Sequence, residues 1–274
     1  MADEANSSDR NCKSECGSCS KKGSCPSWKE PLNEHSSIKN VIGIISGKGG
    51  VGKSTVTSIL ARKLTKMGYR VGILDAAITG PSITKLFGIE GKAEALGDYI
   101  RPAVTSEGIR VISMNLLLDD METPVLYRGP IISSFVKQFW SNVIWGELDY
   151  MLIDMPPGTG DVPLTVYQSL PIDGVIMVTS PQNLVKMIVM KAVNMAEKMN
   201  IPLLGIVENY SFFTCPDCGK EYRIFGESSI EELAFELNTE VIAKLPILPE
   251  IALAADSGSG FFDSLDIDMS PIMK

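Results

Sequence analysis

Gly47-Lys48-Gly49-Gly50-Val51-Gly52-Lys53-Ser54 completes the pattern G-x-x-x-x-G-K-[ST], and the segments on either side of it decide the fold. An apolar β-branched run, Asn40-Val41-Ile42-Gly43-Ile44-Ile45-Ser46, leads in. A helical pattern leads out from Ser54 to Met67, with Leu60, Ala61 and Leu64 on one face, and stops at the C-cap signal Gly68. A strand, a glycine turn and a helix in that order let backbone N–H groups wrap phosphates, and the helix N-terminus adds partial positive charge. Lys53 is expected to reach the β- and γ-phosphates and the Ser54 hydroxyl to ligate Mg²⁺. The candidate nucleotide-binding residues are therefore Gly47, Lys48, Gly49, Gly50, Val51, Gly52, Lys53, Ser54 and Thr55. A glycine-rich turn without a ligand is the plain alternative, and it leaves the agreement of pattern and context unexplained.

Outward from this stretch, strand and helix alternate. Strands are expected at 41–46, 70–75, 109–114, 149–154, 173–179, 201–208 and 240–245, and helices at 54–67, 130–146, 160–170, 183–199 and 227–238. Most of the strands are near-continuous apolar runs, such as Tyr150-Met151-Leu152-Ile153, which is how parallel strands buried on both faces read. The expected fold is α/β, a mostly parallel doubly wound sheet with helices on both faces and ligands at the carboxyl ends of the strands. Residues 39–274 form that domain. Residues 1–38 are polar, lack hydrophobic periodicity and read as a flexible arm carrying four cysteines. The tail after Ser257 is irregular and receives no element.

A chain of 274 residues with 45% hydrophobic content can bury a large core. Its net charge of −8 argues against nucleic acid or an anionic membrane as the main partner. No apolar run approaches the roughly 20 residues needed to span a bilayer. The polar, acidic start, Met1 to Asp9, is neither a signal nor a transit peptide, so the expected compartment is the cytoplasm. Six cysteines in that compartment read as metal ligands rather than disulfides.

Two aspartates follow apolar strands directly. Asp75 opens Asp75-Ala76-Ala77-Ile78-Thr79-Gly80-Pro81-Ser82, and Asp154 opens Asp154-Met155-Pro156-Pro157-Gly158-Thr159-Gly160-Asp161. A carboxylate at the end of a strand beside the P-loop strand is where the Mg²⁺ shell is held, and Asp154 is the candidate for it. The Pro-Pro-Gly-Thr-Gly turn after it resembles a γ-phosphate-sensing switch. Asp161 reads equally as a helix N-cap and as a functional group.

Cys215-Pro216-Asp217-Cys218-Gly219 is a chelating turn. One cysteine pair cannot complete four-coordinate chemistry, whereas a symmetric dimer would supply the other two ligands and place a metal on its two-fold axis. Zinc and an iron–sulfur cluster both suit such a turn, and a redox pair suits it less. Cys12, Cys16, Cys19 and Cys25 could enclose one further cluster or one zinc ion. Other features take plain readings. Trp140 and Trp145 are core residues on one helix, the methionines from Met187 to Met199 are a packed helix face, Glu231, Glu232 and Glu236 are a solvated helix surface, and His35 is a solvated linker residue.

The P-loop with its extra lysine Lys48, the Asp75-x-x-Ile-Thr-Gly-Pro-Ser segment, Asp154-x-Pro-Pro-Gly-Thr-Gly-Asp161 and Val207-Glu208-Asn209-Tyr210 together resemble the Mrp-type cytosolic iron–sulfur carrier ATPases. These form part of the deviant-Walker group, with the nitrogenase iron protein and the MinD and ParA ATPases. The resemblance spans about residues 38–262. It implies a homodimeric ATPase that binds ATP and Mg²⁺ and carries clusters to apo iron–sulfur acceptor proteins. It implies a 4Fe–4S cluster bridging two subunits at Cys215 and Cys218, and a second cluster in the N-terminal arm. Lys48 is implied to reach the partner's nucleotide, Asn209 to contact adenine, and Lys48, Lys53 and Asp75 to serve catalysis. The Cys16, Cys19 and Cys25 spacing resembles the arm of the scaffold branch, in which the first cysteine lies further upstream than Cys12. One departure matters: the family reads Asp-Ala-Asp where this chain reads Asp75-Ala76-Ala77, so the carboxylate beside the attacking water is missing and hydrolysis is expected to be very slow. Two other readings stand beside it: a zinc-bridged, non-hydrolysing ATP-dependent binding module, and a MinD- or ParA-type positioning ATPase. The latter needs a basic amphipathic C-terminal helix or a basic DNA-binding face. This chain instead ends acidic and is broken by Pro271.

Overall fold

A computed structural model describes residues 29–118, 129–182, 185–249 and 265–273. The P-loop strand β1 (Ser36–Ser46) lies in the middle of an eight-stranded sheet. On one side it pairs in parallel with β7 (Gly146–Asp154), followed by β2 (Val71–Asp75), β6 (Arg110–Ile112) and β5 (Ala103–Val104). On the other side come β8 (Gly174–Thr179), β9 (Leu203–Glu208) and β12 (Val241–Lys244). Only β5 runs antiparallel to its neighbour. The register sets Asp75 directly beside Asp154, at the carboxyl ends of β2 and β7. The two strand-end carboxylates therefore meet because two strands stop at the same level.

Both faces of the sheet are covered. On one side α3 (Gly129–Ser141), α4 (Asp161–Ser169), α5 (Val185–Lys198) and α6 (Ile230–Glu236) pack around Phe139, Trp140 and Trp145. On the other, α1 (Lys53–Lys66) buries Ile59, Leu60 and Leu64, joined by α2 (Ile83–Leu86) and by Leu265, Ile267, Met269 and Ile272 of the tail. The tail thus has a defined place. Its alternation of apolar residues with aspartates turns every second side chain inward, and the Asp268 N–H donates to the Ile242 carbonyl of β12 at 2.9 Å.

The expected long elements are all present, and the differences have physical causes. Helix α3 stops at Ser141 rather than 146. Val143 forms a bridge with Ile100, and Gly146 takes φ +60, where a Cβ would come within 2.6 Å of Arg110 Nη1. Trp145 is therefore off the helix, although it is fully buried and donates from Nε1 to the Phe139 carbonyl at 3.1 Å. The buried stripe of α5 is Val189, Ala192, Val193 and Ala196; Met190, Met195 and Met199 pack at its margin, and Met187 is exposed. Glu231, Glu232 and Glu236 are exposed as expected, and His35 lies exposed in a turn with its ring edge on Tyr99.

Strand β1 begins at Ser36, so residue 38 falls inside it. The residues just before it are tied down: the Glu30 N–H donates to the Ser169 carbonyl at 2.7 Å, and the Asn33 amide donates to the Ser141 and Val143 carbonyls. Short pieces such as α2, the hairpin of β3 (Glu94–Leu96) and β4 (Tyr99–Arg101), and the hairpin of β10 (Phe213–Thr214) and β11 (Glu221–Tyr222) are too brief to show a hydrophobic period.

Candidate functional site

The P-loop leaves β1 at Ser46, whose hydroxyl donates to the Lys48 carbonyl at 3.0 Å. Gly50 and Gly52 take φ of +76 and +80, conformations that L side chains rarely adopt, and Gly52 caps α1. A Cβ on Gly49 or Gly50 would meet nothing within 4 Å, because the loop faces open space there. That space is a cleft of about 410 Å³ lined by residues 48–55, by Ala77, Thr79, Gly80 and Ser82, and by Pro156 and Pro157. Glycines around an open cradle at a helix N-terminus suit a chain of phosphates.

Under the loop, Lys53 and Asp154 form a buried ion pair. The Ser54 hydroxyl donates to the other oxygen of Asp154, and Thr57 Oγ1 donates to the first at 3.2 Å. Ser54 lines the cleft and Asp154 lies buried directly behind it, and a hydroxyl beside a carboxylate is a donor set that suits Mg²⁺. Asp154 comes from the centre of the sheet and Ser54 from the first turn of α1, so both are held by rigid elements. The Pro156-Pro157 turn is fixed to the loop by the Gly158 N–H, which donates to the Ser46 carbonyl at 2.9 Å.

Asp75 lies elsewhere than expected for a catalytic group. It is fully buried, accepts hydrogen bonds from the Ser113 hydroxyl at 2.9 Å and the Ala77 N–H at 3.1 Å, and does not line the cleft. Burial, then the charge of Asp154, pushes its carboxyl up to about 7, against the pull of Lys53, Ser113 and the Ala77 N–H. Its visible work is to fix the start of the 76–82 loop. Ala77 does line the cleft, and none of the described residues lining it is a carboxylate.

Lys48 turns back onto its own chain and donates to the Gln182 side chain. Asn209 is almost fully buried; its amide donates to the Val51 carbonyl at 3.0 Å and its Oδ1 accepts the Tyr210 N–H at 3.0 Å. The structure thus places Asn209 against the P-loop. A Cβ on Gly52 would lie 2.2 Å from the Asn209 amide nitrogen and 3.2 Å from the Tyr210 hydroxyl. Asp161 is the first residue of α4, with Gly160 as the N-cap, and faces the α3–α4 groove with Ser133 and Thr165.

The cysteine pair sits at the tip of the β10–β11 hairpin. The Cys215 N–H donates to the Lys220 carbonyl and the Gly219 N–H to the Cys215 carbonyl, both at 2.9 Å, with Gly219 at φ +69. Cys215 is half-buried and Cys218 exposed, and both are free thiols. Backbone N–H groups of Cys218 and Asp217, and the Cys218 thiol, point at Cys215 Sγ and lower its pKa, which favours the thiolate that binds metal. The described residues supply only this pair: no group of three or more His, Cys, Asp or Glu there could hold a metal ion. Cys12, Cys16, Cys19 and Cys25 lie outside the described residues. No helix among the described residues is long and apolar enough to cross a membrane.

Sequence reading missed Gln182, Ser113, Thr57 and Glu208. The last of these had a signal: a carboxylate ending an apolar strand, the same cue that singled out Asp154.

Residues 37–271 match the family model described as a NUBPL iron-transfer P-loop NTPase of the ParA type. The chain is 48% identical over 256 residues to an iron-sulfur cluster carrier protein of Clostridium perfringens, covering 90% of each. It superposes with a TM-score of 0.73 on a nucleotide-binding protein of Archaeoglobus fulgidus solved with ADP and cobalt, at 42% identity, covering 84% of this chain and 95% of that one. The septum site-determining protein MinD of Pyrococcus horikoshii, solved with Mg-ADP, shares the fold at 22% identity and a TM-score of 0.57, over 81% of this chain and 87% of its own.

Proposed function

The chain belongs to the iron-transfer P-loop NTPase family, and from that premise we propose that it is an ATP-binding carrier of iron–sulfur clusters. One observation carries the reading: a phosphate cradle with a buried Lys53–Asp154–Ser54 floor shares a chain with an exposed pair of thiols whose loop favours thiolate. ATP and Mg²⁺ occupy the cleft, with Lys53 on the phosphates and Ser54 and Asp154 holding the ion. Bound Mg²⁺ supplies charge neutralisation at the β- and γ-phosphates. The cargo, a 4Fe–4S cluster, is held by Cys215 and Cys218 from each of two subunits, because one pair leaves it half-ligated. Delivery to apo iron–sulfur proteins in the cytoplasm follows exchange of these thiolates for the acceptor's. Cys12, Cys16, Cys19 and Cys25 hold a second cluster. In the dimer Lys48 leaves Gln182 for the partner's nucleotide.

Turnover in this carrier is slow. Alanine at 77 can neither accept a proton nor orient water, and the cleft lining described above offers no substitute carboxylate. Asp75 does not substitute, since it is buried behind the loop. Ala77→Asp should raise Mg-dependent phosphate release by about 10²–10⁴-fold, the usual contribution of a positioned acid–base group; no gain would refute this part.

The cargo is tested by anaerobic purification followed by metal and sulfide analysis. Iron with labile sulfide and a brown visible absorbance, lost from this site in Cys215→Ser, is the expected result. Stoichiometric zinc in place of iron would overturn the carrier reading in favour of a zinc-bridged module. Persistent cluster transfer by Cys215→Ser would remove the hairpin from it.

A further inference from the structure

The excursion that carries the thiols, residues 211–228, leaves the sheet after β9 and returns to α6. Both of its ends are gripped by one carboxylate. Glu208, the last residue of β9, is 1% exposed; its Oε2 accepts the hydroxyl of Ser211 and its Oε1 the hydroxyl of Ser228. Ser228 in turn accepts the Ile230 N–H at 3.1 Å, so the exit of the excursion and the start of α6 share one hydroxyl. The Ser211 N–H donates to the Leu245 carbonyl at 2.9 Å, which ties the entry to the segment after β12. A buried side chain whose two oxygens are each met, among the described residues, by one of these hydroxyls holds a loop closed at its base, since either bond lost leaves a buried acceptor without its donor.

The two residues between Glu208 and Ser211 touch the nucleotide site. The Asn209 amide bonds the Val51 carbonyl, and the Tyr210 hydroxyl lies over Gly52. Tyr210 has φ +62, a left-handed conformation costly for a bulky residue, held by the Asn209 Oδ1 contact to its own N–H. The contact to the phosphate cradle, a strained hinge and the clasp on the cysteine excursion thus fall within the four consecutive residues Glu208, Asn209, Tyr210 and Ser211. A shift of Val51 and Gly52 on filling the cleft must be met by Asn209 and Tyr210, because a Cβ's width does not separate them from the loop.

We infer that Glu208 is a positioning residue for the cargo thiols, and that the Glu208–Ser211 hinge carries nucleotide occupancy to Cys215 and Cys218 within one subunit. The purpose of such a link rests on the carrier reading; its existence does not, and it can be measured on the free thiols. The route differs from coupling through Lys48 and the subunit interface, because it needs no second copy.

The test follows alkylation of Cys215 and Cys218 by iodoacetamide in the metal-free full-length chain, with peptide mass spectrometry separating them from the N-terminal cysteines. Mg-ADP and Mg-ATP are each added at saturation. In the unmodified chain nucleotide should change the alkylation rate severalfold. Ser228→Ala should alkylate about tenfold faster without nucleotide, the scale on which loss of one buried hydrogen bond moves an opening equilibrium, and should lose the nucleotide effect. Its nucleotide affinity, read by titration, should stay within about twofold, as Ser228 is not among the residues lining the cleft. Ser228→Thr, which keeps the hydroxyl, should restore the unmodified behaviour. Should Ser228→Ala not fold, Ser211→Ala carries the same test from the entry end. A nucleotide effect that persists in the alanine variant would assign the coupling to subunit contact and overturn the inference, as would its absence from the unmodified chain. Failure of iron to bind Cys215 would sink the carrier reading and leave these outcomes readable.

Discussion

At the P-loop, Lys53 and Asp154 face each other inside the protein, their side chains 8% and 0% exposed, whereas Cys215 and Cys218 stand at the tip of a hairpin built from two-residue strands. The first site is assembled by the central strands of the sheet and the longest helix on its face. Lys53 and Asp154 neutralise each other, and Gly49 and Gly50 leave open space wide enough for a string of phosphates. The second offers, among the described residues, a single pair of free thiols in a loop whose geometry is local. A site that keeps its ligand needs a dry, rigid floor; a site that gives its ligand away needs access and spare coordination.

The contrast breaks most readily at the floor. Asp154→Asn leaves the Lys53 ammonium buried without its opposing charge and should cost about 3–5 kcal/mol of stability. Urea unfolding would read that loss, and equilibrium titration should show Mg-nucleotide binding abolished. A variant as stable as the parent would mean that the cleft is not preorganised. Gly52→Ala is the next largest. It forces φ +80 on a residue with a Cβ and drives that atom into the Asn209 amide, so a loss of about 2 kcal/mol and about tenfold weaker nucleotide binding are expected.

A smaller effect sharpens the electrostatic half of the comparison. The Asp75 carboxyl is raised from 3.8 to about 7 in the folded chain, so the stability it contributes is fully present below the unfolded value and is lost as pH rises through 7. Asp75→Asn removes this dependence. The variant should gain on the parent by about 1 kcal/mol between pH 6 and 8 in urea titrations, and a gap that does not widen with pH would place the ionisation elsewhere. The smallest effect belongs to the hairpin. Gly219→Ala meets no neighbour within 4 Å and suffers only its φ of +69, so about 1 kcal/mol or less is expected, visible as weaker metal binding rather than as unfolding.

The two regions also differ in how they show in the amino-acid sequence. The P-loop, Asp154 and the cysteine turn are contiguous patterns with their chemistry inside a few residues, and all were legible. What was not legible lies in contacts across the chain. Nothing near Asn209 announces that its amide meets Val51, since that contact depends on β9 and β1 stopping at matching levels with β8 between them. The family resemblance implied a catalytic role for Asp75, but whether it faces cleft or core is set by the 76–82 loop and by Ser113, which follows β6 directly. Helix α3 was overrun because Val143, Ile144 and Trp145 continue the apolar text, while the stop is imposed by tertiary contacts with Ile100 and Arg110. The tail had its own signal, the period-two alternation from Leu265 to Met269, which counts for more than its acidity once a core is there to receive it.

That tail also settles a hazard common to open sheets. A parallel sheet has two rims whose unpaired amides and carbonyls invite another molecule to add itself as an extra strand, the first step of aggregation. Here one rim is reduced to the two residues of β5, and at the other the tail lies against β12 and takes the Ile242 carbonyl for itself. With both rims blunted, the sheet offers little to an incoming strand.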